Sequence, residues 1–140
     1  MDIAINYFAV IAAAVASIVL GSLWYGPVFG KMWMKEMGFP EGHVMKPSGN
    51  MARSYGLMAL GPLVMAYVLA HSIAFARLAG EMSDLNAGLQ GGFWNWLGFV
   101  MPVTLGIVLW EGKSWKLFGI NAGYYLVSLP IMGVILAMWS

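Results

Sequence analysis

Four long uncharged stretches limit what this chain can fold into. They contain 22, 23, 26 and 24 residues, with no Asp, Glu, Lys or Arg, and occupy residues 3–24, 54–76, 85–110 and 117–140. A helix needs about 20 apolar residues to cross the hydrocarbon core of a bilayer. The sequence therefore predicts an all-α integral membrane bundle of four transmembrane helices. The same pattern argues against a soluble enzyme, a disordered chain and a nucleic-acid binder.

The composition agrees with a membrane protein of a single domain. Only 9% of the 140 residues are charged, and 61% are hydrophobic, whereas soluble domains carry about 25% charged residues. One four-helix domain is predicted for residues 1–140, with spans at about 3–24, 54–76, 88–110 and 116–139. The first span is not read as a cleavable signal peptide, because Asp2 precedes it and signal peptides have a positive start and about 7–15 apolar residues.

The distribution of basic residues predicts the orientation. Six of the seven fall in or beside the first and third connections, namely Lys31, Lys35, Lys46, Arg53, Lys113 and Lys116. Arg77 is the exception, and Glu81 follows it at i+4 as a candidate partner. Loops rich in Lys and Arg face the cytoplasm. We therefore expect a multi-pass protein of the plasma membrane, the inner membrane in a bacterium, with both termini outside the cytoplasm.

The first connection contains a pattern typical of a short amphipathic helix at residues 27–37. Its apolar and basic residues separate onto two helical faces, with Phe29, Met32, Trp33 and Met37 on one and Lys31 and Lys35 on the other. Pro27 suits the first turn of such a helix. An amphipathic helix of this kind lies in the headgroup region of a membrane. A flexible loop is the alternative interpretation.

The chain also contains a weak internal similarity. The pattern Gly-Lys-x-Trp occurs at residues 30–33 and again at 112–115, in each case after an apolar stretch that ends close to a Trp. This spacing suggests a parallel repeat of two hairpins, related by an axis along the membrane normal, as in some transporters. Chance similarity is the alternative, because Gly, Leu and Trp are common in this sequence.

Small residues form stripes along the predicted helices. The longest stripe runs at i, i+4 spacing through Ala9, Ala13, Ser17 and Gly21. Such stripes let the backbones of membrane helices approach closely. The sequence does not decide whether this stripe faces a sister helix or another subunit. We expect a homo-oligomer, with a dimer favoured, or a subunit of a larger membrane complex, in addition to contact with the lipid bilayer.

Two groups of polar residues are candidate sites. Asn6, His71 and Asn95 fall at similar depth in the outer half of the predicted bundle. They are interpreted either as a proton-responsive or solute-binding site, or as structural hydrogen bonding between helices. Glu111, Lys113 and Asn121 flank the inner end of the last two spans. They are interpreted either as a structural corner or as a gate or headgroup-binding site.

The sequence lacks the patterns of known catalytic sites. It contains no pair of carboxylates within a span, no metal-ligand spacing, no nucleophile elbow and no phosphate loop, and it has no cysteine. We therefore predict no enzyme activity, no catalytic or metal-binding residue and no cofactor. Two functions remain: a structural, accessory or self-assembling membrane subunit, or alternatively a transporter or channel for a small or amphipathic solute.

Several segments resemble a known protein family. They are Asn6–Val10, Leu20–Pro27, Gly30–Met34, Glu111–Ser114, Leu117–Tyr124 and Met132–Leu136. In their order and spacing they resemble the domain-of-unknown-function family numbered seventeen sixty-one (DUF1761), a group of small four-span membrane proteins. The resemblance implies the four-span fold over essentially the whole chain. It implies no activity and no functional residue.

Overall fold

The fold is described by a computed structural model for residues 3–40, 42 and 50–139, and within these ranges every regular element is helical. The six α-helices are α1 (Tyr7–Leu23), α2 (Gly30–Glu36), α3 (Met51–Ala79), α4 (Asp84–Asn95), α5 (Met101–Glu111) and α6 (Trp115–Met138). Two π-helical turns interrupt them. Trp24–Val28 extends α1, and Trp96–Val100 joins α4 to α5.

Four helical stretches are long and apolar enough to cross a membrane. They are Tyr7–Val28, Met51–Ala79, Asp84–Glu111 and Trp115–Met138. The prediction of an all-α fold with four such helices is thereby confirmed. The stretches differ from the predicted spans mainly at their ends, where local hydrogen bonding rather than hydropathy decides where a helix begins.

Polar side chains cap the helices and set these ends. Asn50 Oδ1 accepts the N–H of Ala52 at 2.9 Å, so α3 begins three residues before the predicted span and takes Arg53 into its first turn. Ser83 and Ser114 cap α4 and α6 in the same way. Such caps satisfy backbone donors that have no partner within the helix.

The short helix of the first connection begins later than predicted, at Gly30 rather than at residue 27. The N–H of Phe29 donates to the carbonyl of Trp24 at 2.8 Å, which prolongs the first span as a π-helical turn that contains Pro27. The short helix α2 therefore begins only at Gly30. A π-helical turn accommodates Pro27 because the missing N–H of proline disrupts the regular i to i−4 pattern.

The last helix is the centre of the bundle. α6 packs against all five other helices. In its most apolar stretch of 18 residues, 50% of the residues are buried, compared with 11% in the third span and 17% in α3. Hydrogen bonds and close contacts show that α6 runs antiparallel to α1 and to α4. We call the end of the bundle that carries α2 and Gly112 the basic end, and the opposite end, which carries Asn6 and Trp139, the terminal end.

The small-residue stripe of α1 packs inside the chain. Ala9, Ala13 and Ser17 are buried, and a Cβ placed on Gly21 would lie 3.1 Å from the hydroxyl oxygen of Tyr124 on α6. A second close contact joins α4 to α6, where a Cβ on Gly88 would lie 2.6 Å from the backbone of Gly133. Both stripes thus hold helices of one chain together, as small residues do in membrane bundles.

Arg77 has partners at the terminal end that the sequence did not predict. α3 ends at Ala79, before Glu81. Arg77 and Glu81 therefore do not lie on one helix, as the predicted i+4 pair requires. Arg77 Nη2 instead forms an ion pair with Asp84 at the start of α4 and donates to the carbonyl of Ala137 at 2.7 Å. Arg77 thus links α3, α4 and α6 at the terminal end.

Candidate functional site

The three polar residues predicted for the outer half have separate partners. Asn6 caps α1 and donates to the carbonyl of Trp139 at 2.5 Å. Asn95 donates to Ser72 Oγ at 3.0 Å. His71 Nδ1 lies 3.0 Å from the carbonyl of Tyr67, one turn earlier in the same helix. Within the described ranges no hydrogen bond joins any two of Asn6, His71 and Asn95, so the structure does not bring them together as one bonded cluster.

The three polar residues predicted for the inner corner do share a site. Glu111, Lys113 and Asn121 all line one cleft of about 660 Å³ at the basic end, which we call the basic-end cleft. The other residues of its lining are Tyr25, Trp33, Met37, Ile107, Leu117 and Tyr125. Its volume is within the range of sites for small molecules, about 300–1,000 Å³.

The corner between α5 and α6 places the polar residues of this cleft. Glu111 is the last residue of α5, and Gly112 follows with φ of 68°, a left-handed conformation that favours glycine at a helix end. Lys113 lies in the turn, and Ser114 then caps α6 by accepting the N–H of Leu117 at 3.1 Å. Asn121 faces the cleft from α6, with Tyr125 one turn further along the same face.

The first connection supplies an aromatic wall. The hydroxyl of Tyr25 donates to Asn121 Oδ1 at 2.8 Å, which leaves the amide N–H groups of Asn121 available to another acceptor. Trp33 of α2 meets Tyr25 edge-on, with the ring centroids 6.0 Å apart. The π-helical turn and α2 therefore fold back over the basic end and close one side of the cleft.

The two charges of the cleft are not paired with each other. Glu111 is exposed and Lys113 is half-buried, yet the ion pair found among the described residues, between Arg77 and Asp84, lies at the other end of the bundle. A carboxylate and an ammonium group are thus both available in one aromatic-lined cleft. This arrangement can hold a molecule that carries a positive and a negative group.

A buried polar network lies beneath the aromatic wall. Ser128 Oγ donates to Ser17 Oγ at 3.0 Å, and Ser17 Oγ lies 2.9 Å from the hydroxyl of Tyr124. Tyr124 in turn donates to the carbonyl of Ser17 at 2.7 Å. Every buried polar side-chain atom in the described ranges has a partner. The network fixes α1 on α6 directly below the cleft.

Two tryptophans tie the π-helical turns to α6. The indole N–H of Trp24 donates to the carbonyl of Ile120 at 2.9 Å, and that of Trp96 donates to the carbonyl of Ala122 at 2.8 Å. Each Trp is the first residue of its π-helical turn. The two bonds hold the irregular parts of the first and third spans against α6, on either side of Asn121.

A second cleft lies between α1 and α3 in the half of the bundle next to the basic end. Its volume is about 520 Å³, and we call it the interhelical cleft. Its lining is Ser17, Ile18, Gly21, Ser22, Tyr25, Leu57, Met58, Gly61, Pro62, Met65, Tyr124 and Tyr125. Tyr25 and Tyr125 line both clefts, so the two spaces adjoin at this pair of rings.

Comparison with known proteins identifies the family. The sequence profile described as "Protein of unknown function (DUF1761)" matches residues 8–137. The chain belongs to the DUF1761 family. The resemblance stated from the terminal segments is therefore confirmed, and it extends over α3 and the loop before it. No curated protein and no solved structure matches the chain.

The family description gives this DUF1761 protein no activity, so its chemistry has to be argued from its own residues. Among the described residues, no group of three His, Cys, Asp or Glu side chains is placed to hold a metal ion. The side chains of the basic-end cleft are suited to binding through charge, amide and ring contacts.

Sequence reasoning missed three residues of the basic-end cleft, namely Tyr25, Trp33 and Tyr125. The sequence predicts Trp33 on the apolar face of an interfacial helix, which identifies no neighbour across the bundle, and no pattern in the sequence singles out Tyr25. Tyr125 carries a usable signal, because it follows Asn121 at i+4 and therefore shares its face of α6.

Proposed function

We propose that this protein is a multi-pass protein of the plasma membrane that binds a small amphipathic solute in its basic-end cleft. The observation that carries the proposal is a carboxylate and an ammonium group in one aromatic-lined cleft, neither of them in an ion pair with another described residue. Pockets for small molecules combine a largely apolar lining with a few placed polar groups, and this cleft has that composition.

The contacts at the corner support binding over a purely structural role. If the corner were purely structural, Glu111 and Lys113 would stabilise it most by bonding to each other or by capping α6. The cap of α6 is instead Ser114, and neither charge has an ion-pair partner in the part of the chain that the structure describes. The helix ends are thus satisfied without Glu111 and Lys113, which leaves both groups for a ligand.

The packing of the terminal half favours binding over conduction. Gly88 and Gly92 of α4 lie against the backbone of α6 at Gly133 and Pro130, and Ala9 and Ala13 are buried on α1. Interiors packed in this way do not open without separating helices. A channel would require that separation, whereas a binding site at the basic end does not.

A self-assembling structural subunit is the alternative function. The sequence predicts a dimer because several small-residue stripes compete for the few helix contacts inside a four-helix chain, which would leave one stripe free to pair between subunits. The stripes of α1 and α4 pack within the chain, so they supply no reason for a dimer. Cross-linking of reconstituted protein to a dimer, at a yield independent of dilution in lipid, would favour this alternative.

We place the basic end in the cytoplasm, since six of the seven basic residues flank it in the sequence. The chain has no cysteine, so single-cysteine variants report directly on orientation. Glu81→Cys, exposed at the terminal end, should react with an impermeant maleimide in intact cells. Lys116→Cys, exposed at the basic end, should react only after the cells are opened. The reverse labelling would place the cleft outside.

Binding is tested with three twelve-carbon probes of different head charge: dodecylamine, dodecanoate and dodecylphosphocholine. The protein is held in lipid nanodiscs, and bound probe is counted by native mass spectrometry. At least one probe should bind saturably, and Glu111→Gln or Lys113→Gln should weaken it about tenfold or more, since a hydrogen bond to a charged group contributes about 1.5–3 kcal/mol.

Lys116→Gln is the matched control for these variants. Lys116 is exposed on the first turn of α6 and does not line the cleft, so its replacement removes the same charge without touching the site. Saturable binding should be unchanged in this variant. Absence of saturable binding by all three probes, or equal weakening by Lys116→Gln, would contradict the proposed function.

A further inference from the structure

The two clefts differ in chemistry although they adjoin at Tyr25 and Tyr125. The basic-end cleft contains both charged groups and the amide of Asn121. Among the described residues, no charged side chain lines the interhelical cleft, and four of its five hydroxyls are already bonded. The fifth, that of Tyr125, lies where the two clefts adjoin. Ser17 bonds with Tyr124, and Ser22 donates to the carbonyl of Ile18 at 3.0 Å. Away from Tyr125, the surface that it offers to a ligand is therefore largely apolar.

We infer that the solute is a zwitterionic single-chain amphiphile, whose head occupies the basic-end cleft and whose tail passes Tyr25 and Tyr125 into the interhelical cleft. This inference rests on the proposed function and specifies its ligand. The juxtaposition of a doubly charged polar space with an apolar space, joined at one pair of rings, matches the two ends of such a molecule.

The head is assigned from the groups that face the basic-end cleft. The carboxylate of Glu111 suits an ammonium group, and the aromatic rings of Trp33 and Tyr25 that line the cleft suit the same cation. The ammonium of Lys113 suits a phosphate or other anionic group. A head with one charge would leave either Glu111 or Lys113 without its counter-charge, so a zwitterion satisfies the site best.

The tail is assigned from the lining of the interhelical cleft. Met58 and Met65 are flexible apolar side chains that adapt to an alkyl chain, and Leu57 and Ile18 complete the wall. The cleft lies between two helices, α1 and α3, and reaches the middle of both spans at Ser17 and Met65. It offers one apolar space next to the head, which fits one chain.

The tail is tested by filling the interhelical cleft. Gly61 lines it, and a Cβ at this position would meet no atom within 4 Å. Gly61→Leu should therefore be accommodated while it occupies the space of the tail. Gly56→Leu is the matched control, because Gly56 lies on the same helix with equally open surroundings but outside the cleft. Dodecylphosphocholine, used below its micelle concentration, should bind Gly61→Leu at least tenfold more weakly than Gly56→Leu.

A second arm uses glycerophosphocholine, which has the head without the tail. It should bind the parent protein at least tenfold more weakly than dodecylphosphocholine, and Gly61→Leu should not weaken it further. A photo-reactive diazirine at the end of the dodecyl chain should label the parent protein between residues 57 and 65 of α3 or between residues 17 and 22 of α1. This labelling needs no variant, so a folding defect in Gly61→Leu does not prevent the test.

The outcomes separate the two proposals. Equal binding of the two phosphocholines, with labelling outside both segments, overturns the tail assignment and leaves binding at the basic end intact. Tighter binding of dodecylamine or dodecanoate than of dodecylphosphocholine overturns the zwitterionic head. Failure of every probe to bind saturably overturns the proposed function itself.

Discussion

Replacing Gly133 by alanine should destabilise the protein by about 2–3 kcal/mol, near the upper part of the usual range for overpacking. A Cβ on Gly133 would overlap the carbonyl oxygen of Gly88 on the facing helix, and a Cβ on Gly88 would lie 2.6 Å from the backbone of Gly133. The obstacle is backbone, which cannot turn aside as a flexible side chain does. α4 and α6 must therefore separate along their whole contact.

Gly119→Ala is the matched control for this prediction. It places the same methyl group on the same helix, where a Cβ would meet no atom within 4 Å. Alanine is the better helix former by about 1 kcal/mol, so this variant should be neutral or slightly more stable. The free energy of unfolding is measured by titration with sodium dodecyl sulfate in mixed micelles. Equal stability of the two variants would show that the α4–α6 contact is not tight.

The spans were predictable because hydropathy and charge act on whole segments. A stretch such as residues 54–76 has to be helical in a bilayer, where each backbone group must be bonded within its own segment. The helix ends were less predictable. α3 begins at Met51 because Asn50 accepts the N–H of Ala52. This local cap extends the helix beyond the uncharged stretch to include Arg53, which hydropathy and charge alone do not predict.

Depth along a helix is predictable, but the direction of a side chain around the bundle is not. The sequence predicts a group of Asn6, His71 and Asn95 because they fall at similar depth. In the structure the side chain of Asn6 hydrogen-bonds to the backbone of α1 and to the carbonyl of Trp139. The ring of His71 lies within hydrogen-bonding distance of the carbonyl of Tyr67 in its own helix. Helices with polar groups at one depth can still present them to different neighbours.

The inner corner was predictable for a different reason. Glu111, Lys113 and Asn121 lie on both sides of one short turn, so the chain itself keeps them close, whatever the packing of the bundle. Tyr25 and Trp33 reach the same cleft through a π-helical turn that folds α2 back over α6. The indole of Trp24 in this turn also donates to the carbonyl of Ile120 on α6, a contact across the bundle that no local pattern reveals.

The two halves of the bundle therefore have different roles in the proposed function. The terminal half is held by glycine contacts and by the Arg77–Asp84 pair, and it supplies rigidity. The basic half contains both clefts and the irregular first connection, and it supplies the ligand-binding surface. The polar network of Ser17, Tyr124 and Ser128 lies at the boundary between them, so its removal should affect both stability and the clefts.

Ser17→Val should destabilise the protein by about 1–3 kcal/mol, because it removes two side-chain hydrogen bonds and each contributes about 0.6–1.7 kcal/mol within a membrane. Valine replaces the hydroxyl by a methyl group and adds one further methyl group. The lost stability therefore comes mainly from the missing hydrogen bonds. Ser128, only 1% exposed, would keep just the sulfur of Met132 at 3.6 Å as its acceptor. Tyr124 would keep the carbonyl of residue 17, so the helices should stay paired.

Ser22→Val is the control for Ser17→Val. It shows what replacing a serine of α1 by valine does where the serine is not part of the buried network. Ser22 is exposed, and its hydroxyl donates to its own helix at the carbonyl of Ile18, so its loss should change the free energy of unfolding by less than about 0.5 kcal/mol. Ser17→Thr retains the hydroxyl and should recover most of the stability lost in Ser17→Val. If Ser17→Val and Ser22→Val unfold alike, the network does not hold α1 against α6, and the wall shared by the two clefts must be fixed by ring packing around Tyr124 instead.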